Sequence, residues 1–170
     1  MKKQFIILIL ANLLLSLATF AQQVSIKKNS IYAELLGNGG IYSINYDRIF
    51  QLNRCIKFTP RIGFATIKDV VVIPLEANIL LSRSYTSKNF FEAGVGLTIF
   101  KPTDKFSEKF ITINGYNYNF EHKSSNIPFI ARVGFRHQKP TGGFMYRAGL
   151  LLFTGEESLL TVGLGLGYTF

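Results

Sequence analysis

The sequence lacks most of the features that identify small exported domains and enzymes. Cys55 is the only cysteine, so no internal disulfide can form and a disulfide-rich secreted scaffold is excluded. Only two histidines are present, and no Cys/His cluster, phosphate-binding glycine loop or nucleophile elbow can be found. The sequence therefore predicts no metal site and no cofactor, and the domain needs another source of stability.

Long hydrophobic runs are missing beyond the first 21 residues. The one apolar stretch, residues 5–18, follows the basic start Met1-Lys2-Lys3 and precedes the small residues of Thr19-Phe20-Ala21. This order is typical of a secretory signal peptide. A membrane anchor is the competing interpretation, but a spanning helix needs roughly 18 apolar residues. We predict that residues 1–21 are cleaved and that residues 22–170 form one exported domain.

Acidic residues are fewer than basic ones. Loss of Lys2 and Lys3 with the leader leaves 17 basic and 10 acidic residues, a net charge of +7. A basic balance can indicate nucleic-acid binding. Here the charges stand singly within apolar segments and the chain is exported, so nucleic acid is excluded as a partner. We expect the positive excess to meet acidic lipid head groups.

What the mature sequence does contain is period-two alternation, which indicates strands with two different faces. From Leu160 to Phe170, large apolar residues stand at every even position and Gly or Thr at every odd one. Such segments are near the length that crosses a bilayer as a tilted strand, and eight strands make the smallest common outer-membrane barrel. The eight segments are 30–37, 40–50, 54–67, 70–82, 89–101, 125–137, 143–153 and 159–170. We predict an all-β fold, an eight-stranded antiparallel up-and-down transmembrane β-barrel.

A soluble β-sandwich would show the same alternation, so the choice of a barrel depends on further features. These are the leader, the charged second face of the strands, and the aromatic residues near the strand ends, where rings suit the bilayer interface. Pro74 and Pro128 fall within predicted strands but near their outer ends, where a bulge could absorb the missing N–H. One predicted belt consists of Tyr46, Phe50, Phe58, Phe91, Phe135, Phe144, Tyr146, Tyr168 and Phe170, and the opposite one of Tyr42, Phe64 and Phe129.

The second face of the strands carries four acidic and five basic residues. They are Glu34, Asp47, Lys57, Arg61, Glu76, Glu92, Arg132, Arg136 and Arg147. An eight-stranded barrel has room inside only for side chains, and buried charges must pair. A turn centred near Leu52 would set Asp47 opposite Lys57, and a loop centred near Asp69 would bring Arg61 beside Glu76. We predict a plugged, charge-paired lumen, with a narrow ion pore as the alternative.

Residues 101–124 form the one long connection. Asn114-Gly115 between two alternating runs is a strong hairpin signal, and predicts a ribbon that continues strands five and six beyond the membrane. Tyr116, Tyr118 and Phe120 would share one face of this ribbon. Their rings would either pack on neighbouring loops or capture a partner strand or glycan.

The residues Phe120 to Asn126 contain a possible catalytic pair. The segment is similar to the His-x-Ser-Asn signature of the barrel-shaped lipid A deacylases, which are serine esterases of the outer membrane. His122 and Ser124 have the right spacing, but Ser125 displaces the expected Asn, and Arg136 occupies the region where an acidic residue is expected. The resemblance implies an alternative function in which His122 activates Ser124 as nucleophile.

The whole mature chain resembles small eight-stranded outer-membrane barrels of the OmpX and OmpA-domain type. The resemblance is carried by the leader, the eight segments, the charged second face and the terminal Tyr168-Thr169-Phe170. It implies the outer membrane of a Gram-negative cell, with periplasmic chaperones and the barrel-assembly machinery as partners during export. We expect a monomer that contacts outer-membrane lipid and lipopolysaccharide, is not an enzyme, and has a structural or surface-interaction role through its extracellular loops.

Overall fold

The computed structural model describes residues 26–103, 110–113, 116–119, 127–154 and 158–170. The predicted leader lies outside these residues. None of the described residues belongs to a helix long and apolar enough to cross a membrane. The described strands are β1 (Asn29–Leu35), β2 (Tyr42–Arg48), β3 (Phe50–Gln51), β4 (Ile56–Ile67), β5 (Val70–Leu81), β6 (Asn89–Pro102), β7 (Phe110–Ile113), β8 (Tyr116–Asn119), β9 (Phe129–Gln138), β10 (Gly143–Thr154) and β11 (Leu159–Thr169).

The strands close into an eight-stranded antiparallel barrel, as the alternation predicts. β2 and β3 flank Ile49 and together form one of the eight wall positions, and β4, β5, β6, β9, β10 and β11 follow in order around the wall. The barrel closes where β1 pairs with β11, from Ser30 opposite Thr169 to Leu35 opposite Leu164. The backbone of Phe170 continues this seam through two hydrogen bonds with Asn29, at 2.8 and 3.1 Å. The all-β barrel fold is therefore confirmed.

The two ends of the barrel differ in their connections. At the turn end, β3–β4, β5–β6 and β9–β10 are joined by short turns, and the first and last described residues also lie here. At the loop end, β1–β2, β4–β5, β6–β9 and β10–β11 are joined, and the β6–β9 connection spans residues 103–128.

The outer wall is predominantly apolar. On β11 the outward residues Leu160, Val162, Leu164, Leu166 and Tyr168 are 44–63 % exposed. Soluble monomers rarely expose such a contiguous apolar surface, whereas a barrel in hydrocarbon requires it. Of the nine rings predicted for the turn end, eight are exposed and Phe58 is half-buried. The three predicted for the loop end are all exposed.

The turn between β3 and β4 differs from the prediction and changes one expected charge pair. The side-chain oxygen of Asn53 accepts hydrogen bonds from the N–H groups of Cys55 and Ile56, both at 2.9 Å. This Asx-type turn moves the centre of the hairpin about two residues beyond Leu52. Asp47 consequently pairs with Arg61 in the register, and the predicted pairing of Asp47 with Lys57 is wrong.

Prolines interrupt the hydrogen-bond ladder without shifting its register. β4 and β5 keep one register from Ile62 opposite Leu75 to Ala65 opposite Val72, which sets Pro74 opposite Gly63. The ring of Pro74 covers Gly63, because a Cβ added there would lie 2.7 Å from the proline Cγ. The bulge expected at Pro74 is therefore absent. Pro128 precedes β9 instead of lying within it, and its carbonyl accepts the N–H of Thr98 at 3.2 Å.

The hairpin predicted around Asn114-Gly115 is confirmed by the pairing of its two strands. β7 and β8 pair from Phe110 opposite Asn119 to Ile113 opposite Tyr116. Among the described residues they form a separate two-stranded sheet. The residues that would join this hairpin to the barrel strands, 104–109 and 120–126, lie outside the described residues, so the continuous ribbon stays a prediction.

Inward glycines make room for large side chains on neighbouring strands. Gly165 on β11 is opposite Arg147 on β10 and Glu34 on β1. A Cβ added to Gly165 would lie 2.8 Å from the Arg147 Cγ and 3.4 Å from the Tyr32 ring. Two residues nearer the loop end, three inward glycines lie side by side on neighbouring strands: Gly134, Gly149 and Gly163. Alternation of glycine with Arg, Tyr and Glu therefore lets long side chains fill a narrow interior.

We expect Gly165→Val to destabilise the barrel, because the new side chain has to displace Arg147. Overpacking of a filled interior costs about 1–3 kcal/mol, so the temperature at which folded barrel converts to slow-migrating unfolded chain on a detergent gel should fall. Leu164→Val, on the outer wall beside it, is the matched control and should leave that temperature nearly unchanged. Equal midpoints for the two variants would contradict a filled interior.

Candidate functional site

The barrel interior is the most unusual part of the described structure, because it buries many charges. All nine charged residues of the predicted second face lie inside and are at most 5 % exposed. Eight of them, four carboxylates and four guanidiniums, form one connected set that we call the lumen network. They are Glu34, Asp47, Glu76, Glu92, Arg61, Arg132, Arg136 and Arg147.

Nearest the turn end, Asp47 and Arg136 form a two-point ion pair across the lumen. The Arg136 Nη1 and Nη2 atoms donate to the two Asp47 carboxylate oxygens at 2.6 and 2.8 Å. Arg136 also donates to the Ser30 hydroxyl at 3.3 Å. Such fork geometry holds both groups in one orientation. Arg136 reaches Glu92 at 3.9 Å, which connects this pair to the rest of the lumen network.

The centre of the network consists of two glutamates held between arginines. Glu34 contacts Arg61 directly and lies 2.8 Å from the Arg132 Nη2. Glu76 lies 2.9 Å from the Arg61 Nη1 and 3.1 Å from the Arg132 Nη2. The Asn45 side-chain oxygen accepts two further hydrogen bonds from Arg61, at 3.1 and 2.8 Å. The predicted neighbours Arg61 and Glu76 are directly opposite in the register.

Arg147 links the two parts of the network. Its Nη2 lies 3.2 Å from Glu92 and 3.4 Å from Glu76, and its Nη1 donates to the Tyr32 hydroxyl. The Tyr32 ring lies between two guanidiniums, with Arg61 at 5.5 Å and Arg147 at 5.3 Å from its centroid. This tyrosine has no charge to reveal it in the sequence, but its even, inward position beside Glu34 is the signal that could have identified it.

Lys57 lies inside the barrel but apart from the lumen network. Its ammonium lies 4.4 Å from the Phe90 ring centroid and donates to the Tyr85 carbonyl oxygen at 3.3 Å. Among the described residues, the four network carboxylates form their ion pairs with arginines and not with Lys57. Lys57 therefore packs on Phe90 at the turn end through a cation–π contact and does not balance a network carboxylate.

Apolar layers lie above and below the network, and the sequence reasoning missed both. Ile49, Leu80 and Phe90 pack together at the turn end. Towards the loop end, Leu151 and Phe153 pack with Ile130 and with the partly buried Leu159. The signal for these layers was present as large apolar residues at inward positions of the alternation. The cavity beside Phe90 holds only about 10 Å³, about one water molecule.

The first loop also folds into the mouth of the barrel. Gly37, Asn38, Gly39 and Gly40 are all buried, and the Thr98 hydroxyl donates to the Asn38 carbonyl oxygen at 2.8 Å. A Cβ at Gly37 would collide with the Glu34 side chain, and one at Gly39 with Ser43. Glycine is therefore required at these positions for the loop to lie against the network.

The remaining candidate residues lie largely outside the described structure. Tyr116 and Tyr118 belong to β8, where only the backbone is described, and Phe120, His122 and Ser124 lie outside the described residues. The contact face and the esterase pair therefore stay predictions. Within the described part of the chain, no group of three His, Cys, Asp or Glu residues is arranged to hold a metal ion.

Comparison with known proteins identifies the fold. No family model matches the sequence, and no curated protein sequence matches it. Among solved structures, the chain is similar to the crystal structure of the N-terminal beta-barrel domain of Pseudomonas aeruginosa OprF, with a TM-score of 0.54 and 13 % sequence identity. The similarity covers 86 % of this chain and 98 % of the OprF domain. The resemblance to eight-stranded outer-membrane barrels is therefore confirmed at the level of the fold.

We expect the Asp47–Arg136 pair to tolerate joint removal better than removal of one partner. Asp47→Leu or Arg136→Met alone leaves an uncompensated buried charge, which costs about 3–5 kcal/mol. The double variant restores neutrality and should be more stable than either single variant. Reversible urea unfolding in detergent measures all four free energies. A loss of unfolding free energy in the double variant equal to the sum of the two single losses would contradict a coupled, charge-balanced interior.

Proposed function

We propose that the mature chain spans the outer membrane of a Gram-negative bacterium as a closed barrel whose plugged lumen supports surface-exposed loops. The observation that carries this proposal is the reversal of the usual arrangement: the described barrel has an apolar exterior and a charged interior. In water this arrangement would be unfavourable on both sides. In a bilayer both faces are satisfied, because hydrocarbon covers the outer wall and the ion pairs neutralise one another.

A structural role is favoured over transport because charged and apolar side chains stand in the path through the described interior. The lumen network occupies the middle of the barrel, and the apolar layers around Phe90 and Leu151 lie on either side of it. An ion would have to separate buried arginine–carboxylate pairs to pass. The same balance of charges supports a non-catalytic interior, because every network carboxylate has at least one guanidinium within 4 Å.

The long connection at the loop end is our candidate for surface contact. It carries the β7–β8 hairpin, whose strands pair only with each other among the described residues. Such a ribbon has backbone groups at both edges, which suit recruitment of a partner strand. Rigid scaffolds commonly carry function on such connections. We propose that Tyr116, Tyr118 and Phe120 contribute the contact face.

The orientation can be tested with the single cysteine. Cys55 is exposed at the turn end, so a 5-kDa polyethylene glycol maleimide should leave it unmodified on intact cells and modify it after the outer membrane is permeabilised. The matched variant combines Cys55→Ser with Asn114→Cys, which moves the thiol to the hairpin turn. That variant should react on intact cells. Reaction of Cys55 on intact cells would contradict a periplasmic turn end.

We expect the purified barrel to be electrically silent in planar bilayers, because the plugged lumen offers no continuous water path. The measurement is single-channel recording at 1 M KCl, with folding of the same sample checked by its heat-dependent gel migration. Reproducible conductance steps from folded, detergent-purified protein would contradict the plugged lumen and favour the narrow pore.

A further inference from the structure

We propose that the turn end carries a ring of cations that binds the anionic head groups of the phospholipid leaflet around it. This inference depends on the membrane location proposed above and adds a lipid partner and a site. Seven exposed basic residues define the surface, which we call the basic rim. They are Lys27, Lys28, Arg48, Arg54, Arg83, Lys88 and Lys139.

The basic rim is continuous, because hydrogen bonds join the segments that carry it. The N–H of Ser82 donates to the Cys55 carbonyl at 2.8 Å, which brings the Arg54 and Arg83 turns together. The Lys88 carbonyl accepts the Gln138 N–H at 2.8 Å, beside Lys139. The Lys27 N–H donates to the Pro140 carbonyl and the Ile49 N–H donates to the Lys28 carbonyl, both at 2.8 Å. These two bonds join the segment before β1 to its neighbours on both sides. All three turns and the first described segment therefore contribute cations.

The segments that carry the basic rim contain no acidic residue to offset these charges. The segments 22–29, 48–56, 82–89 and 137–143 contain no Asp or Glu. Four of the ten acidic residues belong to the lumen network, and the other six stand in the connections of the loop end, together with five lysines. With its four arginines and Lys57, the lumen therefore carries a net charge of +1, and the loop end carries −1. The basic rim alone carries +7, as much as the whole mature chain.

The position of the rim favours lipid over a soluble acidic partner. Arg48 points outward from the barrel wall, with its guanidinium 5.7 Å from the Phe50 ring centroid. Exposed rings of Phe144 and Tyr146 lie at the same end, and His137 stacks on Tyr146 at 4.9 Å. Aromatic rings of this kind lie at the head-group level. A cation on that outer wall meets a lipid phosphate before it meets a protein in solution.

The ring shape supports the same partner. A protein ligand would need its complementary charges on one side, whereas the rim spreads its cations over the three turns, the end of β2 and the segment before β1. Head groups surround a barrel on all sides, so every cation can find an anion. Each Lys or Arg near an anionic surface adds attraction that salt screens within a Debye length of about 10 Å at 0.1 M.

Cys55 allows a direct test, since it lies on the rim and is the only cysteine. A donor dye on Cys55 is measured in nanodiscs of phosphatidylcholine with 20 mol % phosphatidylglycerol. The acceptor dye is on an acyl chain of either lipid. We expect the local concentration of labelled phosphatidylglycerol to exceed that of labelled phosphatidylcholine about threefold at 50 mM salt and to approach it at 1 M salt.

Two four-residue variants separate the rim from general charge. Lys27→Gln, Lys28→Gln, Arg83→Gln and Lys88→Gln together should abolish the enrichment. The matched control replaces four loop-end lysines with Gln, at Lys101, Lys105, Lys109 and Lys123, and should retain it. Equal effects of the two variants, or equal contact with both lipids at low salt, would overturn the proposal.

The remaining outcomes distinguish this inference from the proposed function. A folded barrel in the nanodisc, shown by heat-dependent gel migration, that lacks phosphatidylglycerol enrichment overturns only the lipid site. Failure to form a barrel in any lipid overturns the membrane proposal and the lipid site together. Binding of soluble polyglutamate to the rim without lipid enrichment would assign the surface to an acidic macromolecule and overturn the lipid assignment.

Discussion

The pairing of β1 with β11 is the interaction on which the rest of the structure depends. It joins residues from Ser30–Leu35 to Leu164–Thr169 and leaves the wall without a free edge. Only a closed sheet satisfies its backbone groups internally, which is the condition for facing hydrocarbon. Closure also creates the interior, because one face of every strand must now point into a tube. The apolar outer wall and the charged lumen network are two consequences of the same constraint.

The small number of strands makes the interior narrow, and this narrowness dictates its chemistry. Removing one charged group from water costs several kcal/mol even after relaxation. Four carboxylates and four guanidiniums can therefore be buried together only because they are neutral as a set and contact one another. Inward glycines such as Gly163 and Gly165 follow from the same limit, because each leaves space that Arg132 or Arg147 occupies. Neutrality and volume are thus satisfied together.

The alternation of apolar residues with polar or small ones was sufficient to predict most of the fold, since the two faces of a strand depend only on this local pattern. It also predicted Arg61 beside Glu76, because the two-residue turn at Lys68-Asp69 leaves little freedom in register. Asp47 was assigned wrongly because the Asn53 side chain recentres its hairpin. Its ion-pair partner Arg136 lies 89 residues away across the lumen, and hairpin symmetry cannot identify pairs between distant strands.

The apolar layers at both ends of the lumen were missed for a related reason. Alternation distinguishes inside from outside, but it does not distinguish the middle of a strand from its ends. Leu80 and Phe90 occupy inward positions near the turn end, and Leu151 and Phe153 near the loop end. Each could have been assigned by its distance from the nearest turn. The apolar layers lie between the buried ion pairs and the two ends of the barrel, and so separate the charged groups from solvent.

The coupling inside the barrel also indicates where functional variation can occur. Arg61 and Arg132 share Glu34 and Glu76, and Arg147 contacts Glu76 and Glu92, so a change at one of these positions leaves several others without balance. Exposed turn residues such as Arg54, Arg83 and Lys139 contact none of these network groups, whereas the buried first loop shares their constraint. The similarity to the OprF barrel domain at 13 % identity fits this division, since a fold can persist while sequence diverges. We therefore expect sequence variation to concentrate at the exposed connections and the rim, where side chains can change without disturbing the interior.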